Sequence, residues 1–203
     1  MLETEKTTRQ RILDAAVERF AQNGYHNTSV ADIVSDSQTS KGAVYFHFPS
    51  KEEIFLGLVD EFAGILEKRL KEAIDKETSG VRRVNTALRI CMETFTSYQK
   101  LAKIFLIQAV GLGAAFEEKQ REIHLRFIRL IQRHLDEAVQ EGDILSIDTE
   151  IAAYAWMGAI NEVIIEWVHT GHPTPQRALP GLQTVLLRSL GISEERISQL
   201  ENL

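Results

Sequence analysis

Residues 28–51 read TSVADIVSDSQTSKGAVYFHFPSK, and this stretch decides the fold. Ser29 and Asp32 have the spacing of a capping box, which predicts the start of one short helix. After a polar break, Ser40 begins a second short helix, and Ser50 begins a longer one. Two short helices that are joined by a tight turn and followed by a long helix are typical of a helix-turn-helix.

The second short helix carries the side chains for recognition. Small residues at its start allow close approach to a nucleic acid, and its hydroxyl, imidazole and ammonium groups can bind phosphates and base edges. We expect Val44, Phe46 and Phe48 to point the other way and anchor the helix. An ordinary capped surface turn is the plainer alternative. The predicted DNA-binding residues are Thr28, Ser29, Thr39, Ser40, Lys41, Gly42, Ala43, Tyr45, His47 and Lys51.

Two segments of the chain resemble the DNA-binding domain of the TetR family of bacterial transcriptional regulators. They are NGYHNTSVADIV (Asn23–Val34) and SKGAVYFHFPSKEEIF (Ser40–Phe55). The shared order is a glycine–aromatic pair, a TSV-type second helix, a recognition helix with the pattern SKG..Y.HF, and a fourth helix that starts with K-E-E. The rest of the chain matches the family in length and helicity only. The resemblance implies a DNA-binding regulator with a palindromic double-stranded operator.

The composition predicts an all-α fold. The chain has 203 residues, of which 44% are hydrophobic and 26% are charged, with only 4 prolines and 12 glycines. Apolar residues recur at helical spacing over most of the length. We expect a three-helix helix-turn-helix domain over residues 1–51 and a larger helical ligand-binding and dimerisation domain over residues 52–203. The last helix should cover Ser193–Asn202.

The charge and the cysteine content limit the possible partners and the cellular location of the protein. The net charge is −6, but the acidic and basic side chains of residues 1–51 balance, so the excess negative charge lies beyond residue 51. A neutral N-terminal part is compatible with DNA binding. One cysteine cannot form an intrachain disulfide, and neither a signal peptide nor an apolar run long enough for a bilayer is evident. These features favour a cytoplasmic protein without a membrane partner.

The segment from Asp148 to Thr170 is apolar nearly all round. Such a helix has to be covered on every side, and a second subunit is the natural cover. The following helix, over residues 175–190, adds further apolar residues, and the two helices of each subunit could pair across a two-fold axis. These residues are Leu179, Leu182, Val185, Leu186 and Leu190, and a charge placed at Leu186 is expected to split the dimer. The sequence therefore predicts a homodimer, which agrees with the dimerisation that the family resemblance implies.

The family resemblance also implies a ligand cavity among the middle helices. The aromatic, apolar and polar residues that match that region suit a hydrophobic or amphipathic small molecule. For any one of them, plain core packing is the competing interpretation. The predicted ligand-binding residues are Phe62, Leu66, Phe95, Tyr98, Phe105, Gln108, Phe127, Trp156, Asn161 and Glu162.

Two polar rows at helical spacing have plain and functional interpretations. One row consists of Glu162, Glu166 and His169, and the other of Arg126, Arg129 and Arg133. The first could hold a divalent metal, but a polar stripe at a helix end is the simpler interpretation, and we predict neither a metal nor a cofactor. The second could meet a phosphorylated ligand such as an acyl-CoA, but salt bridges with Glu122 and Glu137 are expected instead. Cys91 lies on the apolar stripe of its helix, which predicts a buried structural thiol.

The sequence favours a ligand-responsive repressor that leaves its operator when the small molecule binds the C-terminal domain. A DNA-bound adaptor that works through protein partners, without an inducer, is the first alternative. A helical-bundle enzyme with a hydrophobic pocket is the second, although no acid, base or metal set converges in the sequence.

Overall fold

The computed structural model describes residues 6–108 and 112–201, with the backbone only for residues 198–201. Helices are the only regular elements in these ranges, which confirms the predicted all-α fold. They are α1 (Thr8–Asn23), α2 (Val30–Ser37), α3 (Lys41–His47), α4 (Lys51–Ile74), α5 (Gly80–Ser97), α6 (Gln99–Lys103), a π-helix (Ile104–Gln108), α7 (Ala114–Gln140), α8 (Thr149–Thr170), α9 (Pro175–Ser189) and α10 (Glu194–Glu201).

Side-chain caps fix the beginnings of several of these helices, as the sequence predicts. The Ser29–Asp32 capping box of α2 is complete, with both reciprocal hydrogen bonds formed. Ser40 caps α3, and its hydroxyl accepts a hydrogen bond from the backbone N–H of Ala43 at 3.1 Å. Asp148 caps α8 in the same way. Each cap satisfies an N–H group that the helix itself leaves without a partner.

The described residues fall into two compact units. The first takes in Met1–Gly64 and Tyr98–Gln120, and the second takes in Ile65–Ser97 and Arg121–Leu203. This grouping differs from the predicted boundary at residue 51. The reason is that the aromatic ring of Phe55, early in α4, packs on that of Phe20 in α1, at 5.3 Å between ring centroids. The assignment of separate tasks to two domains remains a prediction.

The first unit is built around an aromatic cluster. Phe55 and Phe116 pack edge to face at 5.3 Å, and Tyr25 lies 5.2 Å from Phe55 and 5.5 Å from Phe116. Edge-to-face pairs at such distances are favourable beyond their area of burial. The cluster therefore joins the end of α1 to the starts of α4 and α7.

The segment of α6 and the π-helix is also fastened to α1. The Lys100 ammonium donates to the Glu18 carboxylate at 2.7 Å, and the Gln108 side-chain amide donates to the Phe20 carbonyl at 2.9 Å. The apolar segment predicted over residues 101–112 is thus helical as far as Gln108, while residues 109–111 lie outside the described part. Asn202, at the predicted end of the last helix, is outside it too.

The second unit holds α5, α8, α9 and α10 with the adjoining parts of α4 and α7. The Gln183 side-chain amide donates to the Asn85 side-chain oxygen at 2.8 Å and links α9 to α5. The Trp156 indole donates to the Ser189 hydroxyl at 3.1 Å and links α8 to α9. The α9 helix continues through Pro180, where the sequence suggests a bend or a restart. Within the described residues, none of the helices has the length and apolar character needed to cross a bilayer.

Candidate DNA-binding surface

The loop between α1 and α2 is fixed from within. Thr28 is only 1% exposed, and its hydroxyl lies 2.8 Å from the Gly24 carbonyl and 3.3 Å from the Arg19 carbonyl. This corrects the expectation that Thr28 faces DNA, because a buried hydroxyl that donates to the backbone of α1 cannot meet a phosphate. Ser29, by contrast, is exposed, and its backbone N–H donates a hydrogen bond to the Asp32 carboxylate. The hydrogen bonds from Ser29 lower the pKa of Asp32 below its usual value.

An ion pair links α1 to α2. The Arg19 guanidinium donates to both carboxylate oxygens of Asp36, at 2.5 and 2.7 Å. This two-pronged geometry is the strong form of a charge-assisted hydrogen bond. The hydrogen bond from Arg19 lowers the pKa of Asp36. The ion pair therefore persists to a lower pH than an ordinary aspartate would allow.

The turn between α2 and α3 is tight. Gln38 closes it with a left-handed backbone at φ 52°, and the hydroxyls of Ser37 and Thr39 are 2.8 Å apart. Ser40 then caps α3. The hydroxyls of Thr39 and Ser40 are therefore engaged in shaping the turn, although Ser40 stays exposed and Thr39 half-exposed.

The outward side of α3 is what we call the recognition face: Lys41, Gly42, Tyr45 and Phe46. All four residues are exposed, and the Lys41 ammonium lies 5.9 Å from the centre of the Tyr45 ring. Ala43 and His47 flank the face and are half-buried. Side chains at positions i and i+4 are neighbours on a helix, so Lys41 lies beside Tyr45 and Gly42 beside Phe46.

Phe46 is on this face against expectation. It is 84% exposed, whereas Val44 is fully buried and Phe48 nearly so. The expectation followed a two-residue alternation, which suits a strand. On a helix, positions i and i+4 share a side and positions i and i+2 do not. Val44 and Phe48 thus anchor α3, and the helical period puts Phe46 outside.

Lys51 also differs from the sequence prediction. Its ammonium donates to the carbonyls of Tyr25 and Thr28 at 2.9 and 3.0 Å, and it lies 4.3 Å above the Tyr25 ring. The side chain is half-buried and acts as an internal clamp between the start of α4 and the loop after α1. These contacts argue against its assignment as a phosphate contact. Burial, with a smaller effect of Glu52, raises the pKa of the Tyr25 hydroxyl.

The predicted ligand-binding residues are divided between the two units. In the first unit, the Phe62 and Phe105 rings are 5.8 Å apart, Tyr98 is exposed, and Gln108 is half-buried with its side-chain oxygen lacking a hydrogen bond. In the second unit, four are buried, Asn161 is half-buried and Glu162 is exposed. The four buried residues are Leu66, Phe95, Phe127 and Trp156.

The outer side of α8 and α9 is apolar. Ile151 and Tyr154 on α8 and Val185 on α9 are exposed, at 63%, 46% and 64%. Leu186, which the sequence places at a subunit interface, is only 4% exposed. The structure corrects the choice of Leu186 as the residue to change, because Leu186 is covered within its own chain. Val185, which the sequence places in the same interface, is the one that points outward.

The structure places the two polar rows of the sequence in different settings. Arg126 pairs with Glu67 at 2.5 Å and with Glu122 at 3.8 Å, and Arg133 pairs with Glu137 at 4.0 Å, so the expected salt bridges are confirmed. In the other row, Glu162, Glu166 and His169 are all exposed. Across residues 6–108 and 112–197, no group of three or more His, Cys, Asp or Glu side chains could hold a metal.

Cys91 is half-buried rather than fully buried. The surroundings of its thiol are nevertheless apolar enough that burial raises the pKa to about 12. The thiol is therefore almost entirely protonated at neutral pH, as expected of a structural cysteine.

Comparisons with known proteins agree with this geometry. The family model for bacterial regulatory proteins, tetR family, matches residues 12–58, which hold most of α1, all of α2 and α3, and the start of α4. The fatty acid metabolism regulator protein of Bacillus subtilis is 26% identical over 159 residues, which cover 78% of this chain and 82% of that protein.

Two solved structures share the fold over nearly the whole length. The fatty acid degradation regulator FadR from Bacillus halodurans has a TM-score of 0.84 at 21% identity, over 93% of this chain and 98% of that one. FadR from Bacillus subtilis, solved in complex with stearoyl-CoA, has a TM-score of 0.79 at 23% identity, over 90% and 98%.

Proposed function

Because the chain belongs to the TetR family and is a DNA-binding transcriptional regulator, we propose that it is a repressor of a palindromic operator. A hydrophobic or amphipathic small molecule that binds the C-terminal part would release it from this DNA. The observation that carries the proposal is the recognition face. It is exposed on a helix whose cap, turn and inner side are all held by the chain itself.

The proposed DNA contacts follow from the side chains that the fold leaves at the surface. Lys41 and Tyr45 can donate to base edges or phosphates in the major groove, and Gly42 lets the backbone of α3 come close. Ser29, Ser40 and His47 flank them and can reach the sugar-phosphate backbone. Neither Thr28 nor Lys51 belongs to the proposed set, since both are engaged inside the chain.

We propose that two copies bind together. The exposed apolar side chains of α8 and α9 would be covered by the same surface of a second copy, and the exposed Ala155 and Gly158 would let the two α8 helices come close. A dimer presents two recognition helices to successive major grooves, about 34–36 Å apart, which is why the operator should be palindromic. The site of action would be the cytoplasm, where a bacterial chromosome lies.

For the small molecule we propose a long-chain acyl-CoA. One relative with the same fold was solved with stearoyl-CoA, and most of the residues predicted to bind a ligand in this chain are aromatic or apolar. Arg129, which is exposed and has no ion pair within the described residues, could meet an anionic group of the coenzyme. Arg126 and Arg133 are less available, because each has a carboxylate partner.

The test is operator binding with and without the ligand. The purified chain would select its operator from a randomised duplex library, and fluorescence anisotropy would give the affinity for that duplex and for a scrambled one. We expect a preference of at least about 1,000-fold for the operator at fixed salt. Stearoyl-CoA should weaken operator binding by about 5- to 150-fold, and operator should weaken stearoyl-CoA binding by the same factor.

Coenzyme A alone and stearate alone are the controls. If both leave operator affinity unchanged while stearoyl-CoA lowers it, the ligand class is supported. If no acyl-CoA of any length changes operator affinity by as much as twofold, the ligand assignment is wrong, and the adaptor without an inducer becomes the better description. If no sequence is preferred over the scrambled duplex, the proposal of a specific repressor fails.

A further inference from the structure

Phe46 is the most exposed large hydrophobic side chain of the described residues, at 84%. Among the residues that the structure describes, the one ring that it meets is that of its neighbour His47, at 5.2 Å between centroids. The fold gains little from leaving an aromatic ring in water, because the gain from apolar side chains comes from burial. The side chain is thus available for a partner outside the chain.

The position of Phe46 on α3 limits the kinds of partner that it can contact. It stands one helical turn from Gly42, and a Cβ added at Gly42 would meet only the Ser40 hydroxyl, at 3.9 Å. The recognition face therefore has two columns: a polar one, formed by Lys41 and Tyr45, and an apolar one, formed by Phe46 beside the open space at Gly42.

A phenyl ring has no hydrogen-bond donor or acceptor, so it cannot pair with a phosphate oxygen or with the polar groups of a base edge. The major groove offers one apolar group that depends on sequence, the 5-methyl group of thymine. The open space at Gly42 gives this methyl group room next to the ring.

We propose that Phe46 contacts the 5-methyl group of a thymine in each operator half-site and so makes the protein prefer T at that position. The inference rests on the proposed operator binding and deepens it. It assigns a sequence preference to Phe46, a side chain that makes no hydrogen bond. The neighbouring polar column, Lys41 and Tyr45, would supply the hydrogen bonds to DNA.

The experiment removes the methyl group and leaves every hydrogen-bonding group of the DNA in place. In the operator selected by the full-length chain, each thymine is replaced in turn by deoxyuridine, and affinities are measured by fluorescence anisotropy at one salt concentration. We expect one position per half-site to lose about fourfold on replacement, and about sixteenfold when both half-sites are replaced, the effect of burying one methyl group each.

Phe46→Ala identifies the side chain responsible. In this variant, the penalty for deoxyuridine at that position should vanish, while penalties at other positions should stay as in the parent. Phe46→Leu, which keeps an apolar side chain, should keep part of the penalty. Leu145→Ala is the matched control, because Leu145 is also exposed and apolar, at 75%, but lies between α7 and α8. It should leave every penalty unchanged.

The outcomes separate this inference from the proposed function. If the parent selects an operator, but no deoxyuridine penalty disappears in Phe46→Ala, the inference is overturned and the repressor proposal stands. If the parent selects no sequence, both fall. Circular dichroism and thermal melting check the variant itself: a loss of helicity in Phe46→Ala would mean that the ring supports the fold, and that too overturns the inference.

Discussion

Gly42, in the first turn of α3, and Gly80, at the first position of α5, lie at similar places in their helices but in different surroundings. A Cβ at Gly80 would lie 2.5 Å from the Ala138 Cβ and 2.7 Å from its Cα, whereas a Cβ at Gly42 would have open space around it. Neither glycine has a positive φ. Contacts within the chain thus explain Gly80, but they do not explain Gly42.

Two other pairs show the same contrast between a residue that is held inside the chain and one that is exposed. One pair is adjacent in sequence, and the other consists of two lysines. Leu186 and Lys51 are explained by contacts within the chain, and Val185 and Lys41 are exposed. Residues of the first kind should affect the free energy of unfolding when changed. Residues of the second kind should leave it nearly unchanged and affect binding. Each pair can therefore test the division.

The largest effect is expected at adjacent residues in α9. Leu186→Glu would bury an unpaired charge and should lower the free energy of unfolding by about 3–5 kcal/mol. Val185→Glu should keep the helicity and instead weaken the dimer, because a like charge would face its mate across the two-fold axis. Sedimentation and denaturant unfolding distinguish the two. A Val185→Glu protein that stays dimeric would place the interface elsewhere.

The second-largest effect on stability is expected for Gly80→Ala. The added methyl group would overlap the backbone of Ala138, which cannot rotate away, so overpacking should cost about 1–3 kcal/mol of unfolding free energy. Gly64→Ala is the matched control, since Gly64 is helical with nothing within 4 Å of an added Cβ. That change should raise stability by about 0.5–1 kcal/mol. Equal effects of the two substitutions in urea unfolding would contradict the close approach at Gly80.

For the two lysines we expect a smaller but cleaner division. Lys51→Ala removes the clamp on the carbonyls of Tyr25 and Thr28 and should cost about 1–2 kcal/mol of unfolding free energy. Lys41→Ala should change stability by less than about 0.5 kcal/mol. If Lys41 meets a phosphate, its loss should lower the salt slope of DNA binding by about one. The reverse assignment of the two effects would refute the internal role of Lys51.

Gly42→Ala should have the smallest effect on the fold, and with an opposite sign. Replacing a helical glycine by alanine should stabilise the chain by about 0.5–1 kcal/mol. Operator affinity should nevertheless fall, by roughly 1 kcal/mol, and Gly42→Leu should lose more, because the side chain would hold α3 away from the groove. An alanine variant that is more stable and binds operator as tightly as the parent would show that α3 does not approach DNA at this point.

The elements that sequence reasoning predicted well depend on local interactions. The Ser29–Asp32 box and the Ser40 cap join residues three apart, so the letters alone contain the contact. The helical period itself shows that Phe46 lies outside, and an expectation that used a two-residue alternation missed it. Lys51 could not be placed in this way, because its partners are carbonyls more than twenty positions earlier, and carbonyls leave no mark in a sequence.

The C-terminal part was harder for the same reason. The apolar pattern of α8 and α9 predicts that both helices are covered, but it does not say which residues the chain covers by itself and which it leaves for a second copy. That division decides between Leu186 and Val185, and it depends on how α5 packs against α9. The ligand-binding residues remain a prediction, since aromatic side chains suit a core and a cavity equally well.

The separation of inner and outer side chains on α3 also bears on how such a protein can evolve. Ser40, Val44 and Phe48 hold the helix, and none of them belongs to the recognition face. Substitutions at Lys41, Tyr45 and Phe46 can therefore accumulate without loss of folding, so a duplicated copy of the gene can acquire a new operator in single steps. A library randomised at these three positions should consist mostly of folded proteins, among which new DNA specificities can be selected directly.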